Sequence, residues 1–163
     1  MNWTQTAKEI EADRLILPAV TGHDLHVLSK TLYGEARGEG EDGMGAVAAV
    51  IRNRVHADLH GDALPDWWGE GYAGVCLKPW QFSCWNENDP NRARLEALQS
   101  DDPLYVCAFR VSVRCVHWEY RDPTGGCTHY CTVYSRQHAP QDHWSRQAAI
   151  RFALGRHVFF SLT

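Results

Sequence analysis

The chain has 163 residues, of which 44% are hydrophobic and 22% charged, and a net charge of −4. That length and balance suit one globular domain with a real core. Its arginines come as scattered pairs (Arg52/Arg54, Arg92/Arg94, Arg110/Arg114) with no run of Lys or Arg, and no stretch reaches the ~18 consecutive apolar residues of a membrane span. No nucleic-acid partner and no membrane insertion are therefore expected, and the chain reads as a monomer.

Residues 1–20 are weakly patterned and read as an N-terminal arm; residues 21–163 read as one domain. Thr21-Gly22-His23-Asp24 has capping-box spacing, with Asp in the place of the usual Glu or Gln. Leu25, Leu28 and Leu32 follow at helical spacing. The next segment, 43–55, predicts a second helix. Its residues 46–51 are apolar nearly all round, so it should run through the core, and its small side chains allow a neighbour to approach closely. Residues 56–88 read as irregular and carry four tryptophans, Trp67, Trp68, Trp80 and Trp85. Such a long irregular stretch in a compact domain suggests function.

Asp89-Pro90 and Asp102-Pro103 each set an N-cap before a first-turn proline, so a helix should start at both. After the second, Leu104, Cys107, Ala108, Val111, Cys115 and Trp118 form a helical stripe. Residues 122–126 predict a turn, and 127–134, rich in Thr, Tyr and Val, a strand. Residues 144–154 read as a final helix ended by Gly155, and 158–160 as a short closing strand. The sum is an α+β chain, predominantly helical, with a small β element.

The six cysteines (Cys76, Cys84, Cys107, Cys115, Cys127, Cys131) include no C-x-x-C pair, so the strong zinc spacing is missing. Buried free thiols are the first expectation, with one or two disulfides as the alternative.

The stretch that carries chemistry is Tyr33-Gly34-Glu35-Ala36-Arg37-Gly38-Glu39. At 100° per residue, Glu35 shares a helical face with Leu28 and Leu32 to within about 60°. Its carboxyl should emerge beside the apolar stripe. Partial shielding from water is the setting in which an acid keeps a proton to donate near neutral pH. Glu39 follows one turn later, but Gly38 and Gly40 should end the helix and leave it more exposed. A plain solvated helix end fits the same spacing.

Residues 32–39, followed by Gly45-Ala46-Val47-Ala48-Ala49-Val50-Ile51-Arg52-Asn53-Arg54-Val55, resemble the opening of the cell-wall hydrolase family of spore-cortex-lytic enzymes. The resemblance continues through Val75-Cys76, Lys78-Pro79-Trp80-Gln81-Phe82-Ser83-Cys84-Trp85-Asn86, Thr128-His129-Tyr130 and Gly155-Arg156-His157-Val158-Phe159-Phe160. It implies a lysozyme-like, lytic-transglycosylase-like fold. It further implies cleavage of peptidoglycan glycan strands between N-acetylmuramic acid and N-acetylglucosamine, with Glu35 as the acid and no metal or cofactor. A lytic transglycosylase leaving 1,6-anhydromuramic ends fits a chain with one assured acid. A muramidase or glucosaminidase would need a second carboxylate, from Glu39, Glu70, Glu87 or Asp89.

Beside Glu35, the expected substrate contacts are Tyr33, Trp80, Gln81, Ser83, Trp85, Thr128 and Tyr130. Phe82 is assigned to the core. In a strand, Thr128 and Tyr130 face one side and His129 the other; the first two are expected near Glu35, with His129 mainly structural and a possible secondary site residue. The chain departs from the family pattern at Cys127 and Cys131, where Ala and His are more usual. A Cys/His peptidase or a zinc module on Cys127, His129 and Cys131 is the remote alternative. No basic-then-apolar leader opens the sequence, and no peptidoglycan-binding repeat precedes the motif. The expectation is a phage- or prophage-type endolysin, made in the cytoplasm and released to the wall by another factor.

Overall fold

A computed structural model of the chain describes residues 19–58 and 68–162. The expected N-terminal arm lies almost wholly outside the described residues, as does Trp67. Helix α1 spans Gly22–Ala36 and begins at the expected capping box. The Asp24 backbone N–H donates to Thr21 Oγ1 at 3.1 Å, and the Thr21 N–H donates to Asp24 Oδ2 at 2.9 Å. The other Asp24 oxygen accepts the Ala73 N–H at 2.9 Å. One carboxylate thus caps α1 and holds the short helix α3 (Gly71–Leu77) against it.

Helix α2 spans Gly40–Asp58. Met44 and residues 46–51 are fully buried, as an apolar surround requires. Two cores meet on this helix. Val47, Ala48 and Ile51 pack into the helical core with Leu28 and Leu32 of α1 and Val111 and Cys115 of α5 (Pro103–Val116). Ala46 and Val50 face Cys127 and Phe159 on the sheet side. Between α1 and α5 the hydroxyls of Ser29 and Ser112 meet at 3.1 Å.

Both Asp-Pro signals mark real helix starts. Asp89 caps α4 (Pro90–Ala97) by accepting the Asn91 N–H at 2.8 Å. Asp102 caps α5 by accepting the N–H groups of Leu104 and Tyr105 at 2.8 and 3.1 Å.

The sheet has three antiparallel strands, β1 (His129–Thr132), β2 (Phe152–Leu154) and β3 (His157–Phe160), in the order β1-β3-β2. Tyr130 and Phe152 both pair with Phe159. The fold class is therefore the expected one, but three elements differ. The segment 56–88 holds α3 and a 3-10 turn at Ser83–Trp85. The strand expected to run to residue 134 stops at Thr132, whose hydroxyl accepts the Ser135 N–H at 3.0 Å and so caps helix α6 (Val133–His138).

The last difference is the largest. Instead of one helix over 144–154 there is a single turn, α7 (Trp144–Gln147), followed by β2. Gly155 sits at φ +55° in the two-residue turn between Leu154 and His157, so it closes a hairpin rather than a helix.

All six cysteines are free thiols; Cys76, Cys84, Cys115 and Cys127 are buried, and Cys107 and Cys131 partly so. Among the described residues no three His, Cys, Asp or Glu side chains are grouped to hold a metal ion.

Asp102→Ala removes a cap that serves two N–H groups. It should cost about 1 kcal/mol of stability, read as a lower urea midpoint with an unchanged denaturant slope.

Candidate active site

Glu35 lies in the last turn of α1, half-buried, beside the fully buried Leu28 and Leu32. Its Oε2 accepts the Tyr130 hydroxyl at 2.8 Å, and its Oε1 accepts the Cys84 backbone N–H at 3.3 Å. The carboxyl is thus placed by a helix, a 3-10 turn and a strand.

Each placement has a local cause. The turn at Ser83–Trp85 reaches α1 because Gly34 has no side chain: a Cβ there would lie 2.6 Å from Cys84 Cβ and 2.8 Å from its Sγ. The Trp85 indole N–H then donates to Thr31 Oγ1 at 2.9 Å, one turn earlier on α1. From the far side, Arg92 donates to the Trp85 carbonyl at 2.6 Å. On β1, the Tyr130 ring packs at 5.7 Å from Phe159 and 5.3 Å from His157. Burial and the adjacent Glu35 carboxyl hold the Tyr130 phenol well above its ordinary pKa, so it remains a donor.

Glu39 differs from the expectation. Its side chain is only 8% exposed, and both oxygens are engaged by Arg156 of the β2–β3 turn, Oε1 by Nε at 2.7 Å and Oε2 by the backbone N–H at 3.2 Å. Gly43 and Gly155 leave the room it occupies, since a Cβ at either would collide with it. The Arg156 hydrogen bond holds the Glu39 carboxyl below the usual carboxylate range. It latches the hairpin to the start of α2.

Arg54 organises the opposite wall, and sequence reasoning assigned it no role. It is 6% exposed, donates from Nε to the Thr128 carbonyl at 2.7 Å and from Nη1 to Gln81 Oε1 at 3.0 Å, and lies 5.4 Å from the Phe82 ring centre. Burial lowers its pKa from the ordinary arginine value. The signal was present in the sequence: a cation about one turn past the apolar run 46–51, on a helix read as passing through the core.

The remaining expected contacts divide. Gln81 has its amide oxygen held by Arg54, which leaves the amide N–H groups for another partner, and Ser83 is exposed. Phe82 is core, as assigned. Tyr33 is buried in the core with Arg37 over its ring at 5.5 Å, so it lines no groove. The Thr128 hydroxyl meets His129 Nδ1 at 2.9 Å, so it is turned to that ring instead of Glu35. His129 sits edge-on to Trp68 and Trp144 and is held to about 4 by burial, with the Arg54 charge adding to the shift. Trp85 is anchored inward through its N–H, and Trp80 is 84% exposed.

Glu35 is thus a carboxyl set between two donors and half-shielded from water, with the nearest acid in sequence, Glu39, locked in an ion pair. A family model described as cell wall hydrolase matches residues 38–160. The chain belongs to the cell wall hydrolase family. The family match begins three residues after Glu35, so the case for that residue is geometric.

Among the relatives of this chain, the spore cortex-lytic enzyme of Halalkalibacterium halodurans is 30% identical over 140 residues, and that of Oceanobacillus iheyensis 37% over 89. The matches cover 84% and 50% of this chain but only 34% and 29% of those proteins. Two solved structures share the fold at 23% identity. The catalytic domain of a germination-specific lytic transglycosylase from Bacillus anthracis has a TM-score of 0.62, with 89% of this chain and 100% of that chain covered. The catalytic domain of the Bacillus cereus SleB protein has a TM-score of 0.63, with 90% and 96% covered.

Two outcomes are expected. Gly34→Ala forces the 83–85 turn off α1, so it should lower stability by about 1–3 kcal/mol and reduce turnover with it. The second concerns pH. Burial depresses both His129 and His157 in the fold. The unfolded chain therefore takes up protons that the folded chain refuses, and stability should fall as pH drops from about 6.5 towards about 4. His129→Gln should flatten that slope in thermal melts.

Proposed function

We propose that this protein cleaves peptidoglycan glycan strands between N-acetylmuramic acid and N-acetylglucosamine as a lytic transglycosylase, with Glu35 as its general acid. The observation that carries the reading is the Glu35 carboxyl, fixed by Tyr130 and Cys84 at the junction of α1, the 83–85 turn and β1. Family membership and the spore cortex-lytic relatives support the substrate class.

Tyr130 donates to Oε2 and orients the carboxyl. Oε1, with one long backbone contact, is then the oxygen that carries the transferable proton. Glu35 gives that proton to the glycosidic oxygen as the bond from the muramic C1 breaks. The leaving sugar departs with its 4-hydroxyl restored, and oxocarbenium character develops at C1. The Glu35 carboxylate next takes the proton from the muramic 6-hydroxyl while that oxygen bonds to C1. A 1,6-anhydro ring closes, no water is consumed, and the acid is regenerated.

Hydrolysis needs a second carboxylate to act as nucleophile or to activate water. Glu39 is the nearest acid in sequence, and both its oxygens are taken by Arg156. The intramolecular route needs no second carboxylate, and for that reason it is preferred over hydrolysis through Glu70, Glu87 or Asp89.

The decisive measurement is a digest of purified peptidoglycan followed by product masses. Muropeptides with anhydro ends are expected; products heavier by one water would replace the transglycosylase with a hydrolase, and intact glycan with cut stem peptides would overturn both. Glu35→Gln should lose at least about a hundredfold in rate, the usual scale of a general acid, while its far-UV spectrum and Tm stay close to wild type. Tyr130→Phe keeps the ring packing and removes the donor, so kcat should fall about tenfold for one lost hydrogen bond with KM nearly unchanged.

A further inference from the structure

Beside the 80–85 segment lies a cavity of about 610 Å³ whose lining includes Lys78, Trp80, Trp85, Asn86, Asn88 and Arg92. We propose that it is a distal sugar-binding subsite for the glycan strand, with the Trp80 indole as its stacking platform. The proposal rests on the glycan-cleavage reading above and adds a second place where the strand is held.

The first observation is Trp80 itself. Tryptophan is mostly buried in folded proteins, yet here it is 84% exposed. The second is its backbone. Trp80 sits at φ +68°, in the left-handed region that a bulky side chain disfavours and glycine occupies freely. A turn that needed only this backbone would be better served by glycine. The tryptophan is held out in a conformation the chain does not favour, so its indole is the feature being presented.

The third observation is the rigid wall behind it. Trp85 is fixed through its N–H to Thr31 and its carbonyl to Arg92, whose guanidinium lies 5.8 Å from the indole ring centre. Trp85 forms the fixed side of the cavity, and Trp80 keeps its ring face open. The fourth is continuity with the acid. Cys84 donates to Glu35, and the next residue lines the cavity; Gln81, held by Arg54, follows Trp80 directly. One segment thus joins the cleavage point to the cavity.

The chemistry selects a sugar. The C–H face of a pyranose stacks on an indole, while its hydroxyl and N-acetyl groups suit the carboxamides of Asn86 and Asn88. A lipid surface needs several large exposed apolar side chains together, and here Trp80 and Leu77 stand beside amides and the carboxylates of Glu87 and Asp89. An acidic stem peptide would meet the carboxylates of Glu87 and Asp89, which offset Lys78 in the lining, while Arg92 is paired with Glu96 at 2.8 Å.

The test uses the Glu35→Gln protein, which is expected not to cut its ligand, and peptide-free glycan strands of graded length. Tryptophan fluorescence and calorimetry should report binding of long strands. Adding Trp80→Ala should weaken that binding about tenfold, the scale of one aromatic stack, with a smaller loss on strands too short to reach the cavity. Trp80→Phe should keep most of the affinity. Trp80→Gly should raise Tm by relieving the left-handed backbone and still lose the affinity, a pairing that a merely structural tryptophan does not give. Equal affinity with and without Trp80, or no binding of long strands by the Glu35→Gln protein, overturns the proposal. Active Trp80→Ala enzyme with an unchanged KM on whole peptidoglycan would sink the subsite and leave the cleavage reading intact. Trp80-dependent binding without any cleavage by the wild type would do the reverse.

Discussion

Arg54 carries a guanidinium into the middle of the molecule, where it is 6% exposed. Taking such a charge from water costs several kcal/mol unless its donors are satisfied. Here they are met by the Thr128 carbonyl and the Gln81 amide oxygen, with the Phe82 ring against the guanidinium. Both partners belong to walls of the site: Thr128 leads into β1, and Gln81 leads into the turn that reaches Glu35. The expense of burying the charge is offset only if both walls are in place, so Arg54 makes them interdependent. Its neighbours extend the scheme. Asn53 donates to Asp122 and to the Cys127 carbonyl, and Arg52 donates to the Tyr120 carbonyl at 2.9 Å. Successive residues of α2 thus reach outward from one buried helix to tie down the loop before the sheet.

This arrangement accounts for the contrast between the two glutamates. Glu35 meets an uncharged phenol and a backbone amide, which position it without neutralising it. Glu39 meets a guanidinium and becomes a fastener between helix and hairpin. Four residues apart in sequence, they differ because α1 ends between them, at Ala36, and the chain turns. The aromatic layer of Phe82, Tyr130 and Phe159 then keeps the donor to Glu35 in a dry setting.

Much of this was legible because it is local. The capping box at Thr21, the two Asp-Pro starts and the burial of α2 depend on residues within a few positions of each other. The orientation of Glu35 followed from helical geometry alone. What was hidden depends on distant partners. Residues 144–154 satisfy an apolar helical spacing, yet Phe152 and Leu154 also alternate as a strand, and only pairing with β3 decides between them. The burial of Glu39 depends on a residue 117 positions away and on glycines at 43 and 155. Tyr33 looked like a groove residue from its place in the motif, but its neighbours on α1 turn it into the core.

The Tyr130–Glu35 hydrogen bond joins residues 95 positions apart, and the strand that supports Tyr130 ends at Phe160. During synthesis, the helical half of the chain emerges first and carries its acid without the phenol that orients it. Contacts of such high sequence separation form late, after the loop between them has been closed. A nascent or truncated chain that lacks the last hairpin has a carboxyl on a helix and no assembled site. This topology makes assembly of the Glu35 site wait on residues 157–160, the last strand of the described residues.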